Sequence, residues 1–265
     1  MARKTTPKKR SPRPKARKPA ASGRKPARKP KKQQAWTAAD IEEAFSRFQR
    51  ANPAPRGELT HINPYTLLVA VVLSAQATDA GVNKATPALF AAADTPEKMV
   101  ALGEERVREL IKTIGLYRTK AKNVIGLSAK LIAEHGGAVP RLREALEALP
   151  GVGRKTANVV LNIAFGEPTI AVDTHLFRIG NRTGLAPGKT PLEVELALLK
   201  VVPEKYLLHA HHWLILHGRY ICVARNPKCE RCLINEVCKW PEKTAPQFPL
   251  DERIATSASV MRRED

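Results

Sequence analysis

Residues 149–158 read Leu149-Pro150-Gly151-Val152-Gly153-Arg154-Lys155-Thr156-Ala157-Asn158. An apolar, glutamate-bearing stretch with helical spacing stops at Pro150. Gly151 and Gly153 form a turn, and a second helix then starts on two cations. That start breaks a local rule. The first turn of a helix has unsatisfied N–H groups and the positive end of the macrodipole, so it favours anions. Sequences break such rules mainly at functional sites. The natural beneficiary is an external anion such as a phosphate, which glycine lets the backbone amides approach closely.

Outward from this stretch the pattern is helical on both sides. Thr37 can cap a helix carrying Ile41, Ala44, Phe45 and Phe48. Asn63-Pro64 and Thr95-Pro96 each pair a capping residue with proline at the first helical position. Val107, Leu110, Ile111 and Ile114 line one helical face, and Tyr117–His135 reads as a longer helix stopped by Gly136-Gly137. After Phe165 a short β-branched stretch, Thr169–Val172, leads to Asp173 and another helix. Thr190-Pro191 opens the next, and the last long helix runs from Pro203 to about Tyr220. Ten or eleven helices with short connections and no convincing strand predict an all-α body. Residues 247–265 are weakly patterned and read as a loose tail.

The chain has 265 residues, with 45 Lys/Arg against 25 Asp/Glu. Residues 1–35 hold 15 of the basic residues, no acid and six prolines, a composition that cannot bury a core and predicts a disordered basic tail suited to DNA. The remaining 30 basic and 25 acidic residues are nearly balanced, so any polyanion site on the body must be a local patch. No apolar run approaches the roughly 20 residues of a membrane span, and no secretory segment follows Met1.

All four cysteines fall within one segment, Cys222-x6-Cys229-x2-Cys232-x5-Cys238. Such crowding points to a metal site in a reducing compartment rather than a disulfide framework. Spacing alone leaves zinc and an iron–sulfur cluster equally open. Lys228 and Arg231 flank Cys229 and Cys232, so a stapled loop would present cations to phosphates. His209, His211, His212 and His217 read as packing histidines rather than metal ligands.

Four motifs now stand in order: Leu73-Ser74-Ala75-Gln76-Ala77-Thr78-Asp79, the 149–158 stretch, Val172-Asp173-Thr174-His175, and the cysteine segment. Together they resemble the endonuclease III family of helix-hairpin-helix DNA glycosylases over about residues 37–243. The resemblance implies two all-α domains with a DNA groove between them. One is a six-helix barrel at 57–167 with the helix-hairpin-helix; the other is discontinuous, 36–56 plus 168–246, with a 4Fe–4S cluster on Cys222, Cys229, Cys232 and Cys238. It also implies removal of oxidised pyrimidines from double-stranded DNA by a monomeric enzyme, followed by cleavage at the abasic site. In a bacterium that work belongs to the cytoplasm at the nucleoid, in a eukaryote to the nucleus or mitochondrion.

On this resemblance Lys155 is the nucleophile that forms a Schiff base with the sugar. Asp173 stabilises the oxocarbenium charge that builds on the sugar, and it can also cap the helix that follows. Gln76 fills the gap left by the extruded base, and Leu102 acts from the other side. Gly151, Gly153, Arg154, Arg182, Lys228 and Arg231 contact DNA, with His175 beside Asp173 as an orienting group. Two other readings are an adenine-mismatch glycosylase of the same superfamily and a non-catalytic DNA-damage-binding protein. The first usually lacks the lysine and carries a large further domain; intact Lys155 and Asp173 argue against the second.

Overall fold

The computed structural model describes residues 33–261, all helix and loop with no strand among them. The basic segment 1–32 lies outside the described residues. In chain order the helices are α1 (Ala38–Ala51), α2 (Pro64–Ser74), α3 (Asp79–Ala92), α4 (Pro96–Leu102), α5 (Glu104–Leu110), α6 (Tyr117–His135), α7 (Arg143–Glu147), α8 (Arg154–Phe165), α9 (Thr174–Thr183), α10 (Pro191–Val201), α11 (Glu204–Tyr220) and α12 (Leu250–Met261). None is long and apolar enough to cross a membrane.

Two separate cores organise them. The first collects α2 to α8 around α2, whose residues from Tyr65 to Leu73 are all buried. A helix apolar on every side has to lie inside its bundle, and full burial of each leucine or valine stabilises it by roughly 1.5–3 kcal/mol. The helix is started by a capping box: Asn63 Oδ1 accepts from the Thr66 N–H at 2.8 Å, and Thr66 Oγ1 accepts from the Asn63 N–H at 2.9 Å. The second core joins α1 to α9, α10, α11 and the cysteine loop. Phe45, Phe48, Tyr206 and Trp213 stack at its centre, with Phe48 and Trp213 rings 6.4 Å apart. A small apolar seam of Leu67, Val71, Val159 and Ala171 lies apart from both cores.

Two expectations need correction. The end of the chain is not a loose tail through 250–261: α12 packs on α1 and α11. Its Arg253 is 2% exposed, pairs with Glu236 and donates to the Cys232 and Phe248 carbonyls. The weak apolar pattern hid this helix because a buried arginine, not a leucine stripe, attaches it. The expected tail through residue 35 is likewise anchored at its end: Gln33 Nε2 donates to the Arg182 carbonyl at 2.9 Å, next to Trp36, whose Nε1 donates to the Thr183 carbonyl at 2.8 Å.

Candidate active site and cluster loop

Helices α7 and α8 form the hairpin expected from 149–158. Gly151 has φ +78°, and a Cβ there would lie 2.7 Å from the Asn123 side chain, so the turn requires glycine. Gly153 precedes α8 in extended conformation with no side-chain cap, which leaves the N–H groups of the first turn open. Lys155 is exposed and makes no hydrogen bond or ion pair among the described residues.

Asp173 starts α9. Its Oδ1 accepts both the His175 N–H at 2.8 Å and the Leu176 N–H at 2.9 Å, while Oδ2 takes no hydrogen bond among the described residues. One oxygen caps the helix and the other is free, so capping and chemistry do not compete. Lys155 and Asp173 line one pocket of about 640 Å³, with Val71, Val159 and Ile163 among its apolar walls.

The device that brings these two residues together lies on α8 itself. Asn158 and Asn162 are buried on the face one and two turns after Lys155. Asn158 Nδ2 donates to the Ile170 carbonyl at 3.0 Å, its Oδ1 accepts from Arg143 at 2.9 Å, and its carbonyl accepts from the Thr169 hydroxyl at 2.6 Å. Asn162 Nδ2 donates to the Glu167, Thr169 and Leu208 carbonyls. The segment leading to Asp173 is thereby fastened along the helix that carries Lys155. Asn158 closes the quoted motif, yet its partners lie beyond any periodicity the sequence displays.

Two histidines set aside as packing residues also line this pocket. His211 Nδ1 accepts from the Ala171 N–H at 3.3 Å. Burial pushes His212 down to about 4 and His211 well below its ordinary value, so both rings are neutral at neutral pH.

Several expected DNA contacts are differently employed. Arg154 makes a bidentate pair with Glu195, whose side chain is 4% exposed, at 2.8 and 2.9 Å; it ties α8 to α10 rather than standing free. Arg182 donates to the Val223 and Ala224 carbonyls at 2.7 and 2.8 Å and stacks on Trp240, so it shapes the cysteine loop. Arg231 stacks on Phe248, while Lys228 stays exposed. His175 accepts from Arg178 at 3.1 Å through Nδ1, and its backbone N–H donates to Asp173.

Gln76 is exposed between α2 and α3 with φ +55°, a left-handed strain unusual outside glycine and asparagine. The Leu102 side chain packs partly buried against the barrel core. Leu116 lies beside the Gln76 loop. It is 59% exposed, has φ +60°, and follows Gly115, whose Cβ position is 3.9 Å from the Gln76 carbonyl. An exposed leucine in strained backbone beside the Gln76 loop was missed because its sequence neighbours look like an ordinary helix start.

The four cysteines line one further cavity of about 350 Å³. Four thiols lining a shared space suit a multi-atom cluster held by several thiolates. Cationic donors surround them: Arg182 lies 3.4 Å from Cys222 Sγ, and Lys243 donates to the Cys238 carbonyl at 2.6 Å. Such donors favour the net negative charge of a thiolate-held cluster.

Comparison with known proteins agrees with this geometry. The model of "HhH-GPD superfamily base excision DNA repair protein" matches residues 69–204, and that of the "iron-sulfur binding domain of endonuclease III" matches 222–238. Endonuclease III of Escherichia coli K12 is 58% identical over 201 residues, covering 76% of this chain and 95% of the relative. The chain belongs to the endonuclease III family. Its Haemophilus influenzae member is 57% identical over the same shares. A solved structure of a trapped endonuclease III–DNA covalent intermediate superposes with TM-score 0.72 at 46% identity, covering 77% of this chain and 96% of that one. The family's cofactor is a 4Fe–4S cluster, which decides between the two metals the spacing left open.

Proposed function

We propose that this endonuclease III family member is a base-excision DNA glycosylase and abasic-site lyase that removes oxidised pyrimidines from double-stranded DNA. The observation that carries the reading is the unpaired Lys155 amine sharing a pocket with a half-free Asp173 carboxylate. In this reading the chain acts as a monomer in the compartment that holds the DNA, the cytoplasm of a bacterial cell. In this reading the barrel spans 57–167 and the discontinuous cluster domain 36–56 and 168–246, a division that the two separate cores support. Cys222, Cys229, Cys232 and Cys238 hold the cluster, which fixes the loop after α11 and the cations Lys228 and Arg231 on it.

The chemistry assigns each group a step. The open N–H groups at Gly153 and the Gly151 turn grip a phosphate, while Gln76 and Leu116 occupy the space of the extruded nucleotide. As the C1′–N bond lengthens, the Asp173 carboxylate stabilises positive charge on the sugar. The Lys155 amine forms a bond to C1′ as the base departs with the electron pair and gains a proton. Opening of the C1′–O4′ bond gives a protonated Schiff base. Loss of the C2′ proton then expels the 3′ phosphate, and water releases Lys155.

Borohydride reduction during reaction with abasic-site DNA is expected to trap a covalent complex of the wild type and none of Lys155→Ala. An untrapped wild type, or undiminished trapping in Lys155→Ala, refutes the assignment.

A further inference from the structure

The chain does not leave the cysteine loop after Cys238, where the match to the family's iron–sulfur model ends. It turns back and runs along the loop. Lys243 Nζ donates to the Asn235 carbonyl and, at 2.6 Å, to that of Cys238. Asn235 Nδ2 donates to the Thr244 carbonyl at 2.9 Å and to the Cys229 carbonyl at 2.7 Å, so one buried amide joins the returning segment to a cysteine. The Gln247 N–H donates to the Glu230 carbonyl at 3.1 Å, and the Phe248 ring lies under the Arg231 guanidinium. Arg253, in the first turn of α12, closes the path. It donates to the Phe248 carbonyl at 2.9 Å and to the Cys232 carbonyl, and it pairs with Glu236.

Two guanidiniums from different helices meet on this stretch. Arg47 of α1 donates to the Leu233 carbonyl at 2.8 Å, and Arg253 donates to the carbonyl just before it, that of Cys232. Both are buried, and both pair with the Glu236 carboxylate, on which Arg253 spends its two terminal nitrogens. The backbone between Cys232 and Cys238 is thereby fixed by charged groups that do not themselves line the cysteine cavity. Burying a guanidinium is costly, and apolar side chains attach a helix at least as well. What the planar fork adds is direction: it holds a carbonyl and a carboxylate in one fixed relation. A flexible loop pays an ordering cost when its thiolates close on a cluster, and a loop already held in that form does not.

We infer that residues 243–253 brace the cysteine loop in the form that holds the cluster, with Arg253 as the positioning residue that sets the backbone between Cys232 and Cys238, so that the protein retains its cluster. This rests on the assignment of the cluster to the four cysteines and adds the groups that keep it there. The competing role is plain attachment of α12 to the body.

The test uses the full chain purified with its cluster, and follows the cluster's visible absorbance and the release of iron to excess bathophenanthroline. Arg253→Ala is expected to release iron about 10- to 100-fold faster than the parent. Arg253→Lys, which restores the charge but not the fork, is expected to recover only part of the difference. Phe248→Ala, a milder change in the same brace, is expected to fall between the parent and Arg253→Ala. Two variants separate bracing from attachment and from general loss of stability. Arg50→Ala removes the exposed pair that Arg50 makes with Asp251 of α12, and Leu89→Ala opens a cavity in the barrel core. Both are expected to release iron at the parent rate. Parent-like release from Arg253→Ala overturns the inference. So does equal acceleration in Arg253→Ala and Leu89→Ala, the mark of loss through general unfolding. If Arg253→Ala fails to fold, Phe248→Ala decides, and parent-like release from it overturns the inference. A parent protein that carries no iron and sulfide overturns the cluster assignment itself, and this inference with it.

Discussion

Helices α8 and α9 both begin at the pocket, and they begin in opposite ways. The start of α9 is satisfied: one Asp173 oxygen accepts two backbone N–H groups, at 2.8 and 2.9 Å. The start of α8 is left open: Gly153 offers no side chain, and the first two residues are cations. Yet Arg154 is neutralised by Glu195, so only Lys155 remains unpaired there. The difference shows how one fold separates two requirements. A carboxylate must be fixed, and capping fixes it. A nucleophile and a phosphate need open groups, and an uncapped helix start leaves them available.

The comparison can be broken first at the capped end. Asp173→Asn is expected to lower base excision about 10²–10³-fold, measured in single turnover. Because asparagine caps as well as aspartate, the unfolding free energy is expected to stay within about 0.5 kcal/mol. Undiminished excision would mean that Asp173 acts as a cap and not through its charge.

The fastening between the two helices gives the next effect. Asn158→Ala leaves the Ile170 carbonyl and the Arg143 guanidinium without their partner. It is expected to cost about 2–3 kcal/mol of stability in denaturant titration, with excision falling beyond what unfolding explains. Unchanged excision would show that the 167–172 segment holds Asp173 in place without α8.

Across the groove, Leu116→Ala is expected to slow excision about tenfold at unchanged stability. Leu102→Ala should do the reverse, costing about 2 kcal/mol of stability with little change in excision of the folded enzyme. Matching behaviour of the two variants would remove the distinction between an exposed wedge and a core leucine.

The smallest effect concerns α1, whose start is capped as fully as that of α9. Asp40 is held at about 2 by Lys239 first, then by the Thr37 backbone and hydroxyl. Its folded value lies below its ordinary 3.8, so the stability it contributes is present above that value and lost as pH falls towards 2. Asp40→Asn is expected to cost about 1 kcal/mol at neutral pH and to flatten stability against pH between 4 and 2. A parent-like acid limb in the variant would count against this pairing.

Much of the fold was legible because helix starts and stops are local chemistry. Thr37, Asn63, Thr95, Asp173 and Thr190 each cap the helix expected of them, and Gly136, Gly166 and Gly184 end theirs in left-handed conformation. What escaped depends on partners far along the chain. Helix α12 is held by Arg253 against Glu236 and Cys232, and a single buried cation leaves no periodic trace. Leu102 and Leu116 have the same side chain, and only burial against the barrel core separates them. Arg154 and Arg182 read as phosphate contacts because charge is visible in sequence, whereas Glu195 and the loop carbonyls that engage them are 41 and about 40 residues away.

The sequence by itself determined the helices from α1 to α11 and the Gly151 hairpin, since each follows from neighbours within a few positions, while Lys155 and Asp173 stood out through the family resemblance. It also determined that four thiols would share one segment, though not which metal they hold. Only the tertiary structure decided which cations are free, which leucine is exposed, and that Glu58, Asp79 and Arg219 meet in the lining of one pocket. Pairing and burial are properties of groups brought together across the chain, and they fix the energy of a charge far more than its local sequence does.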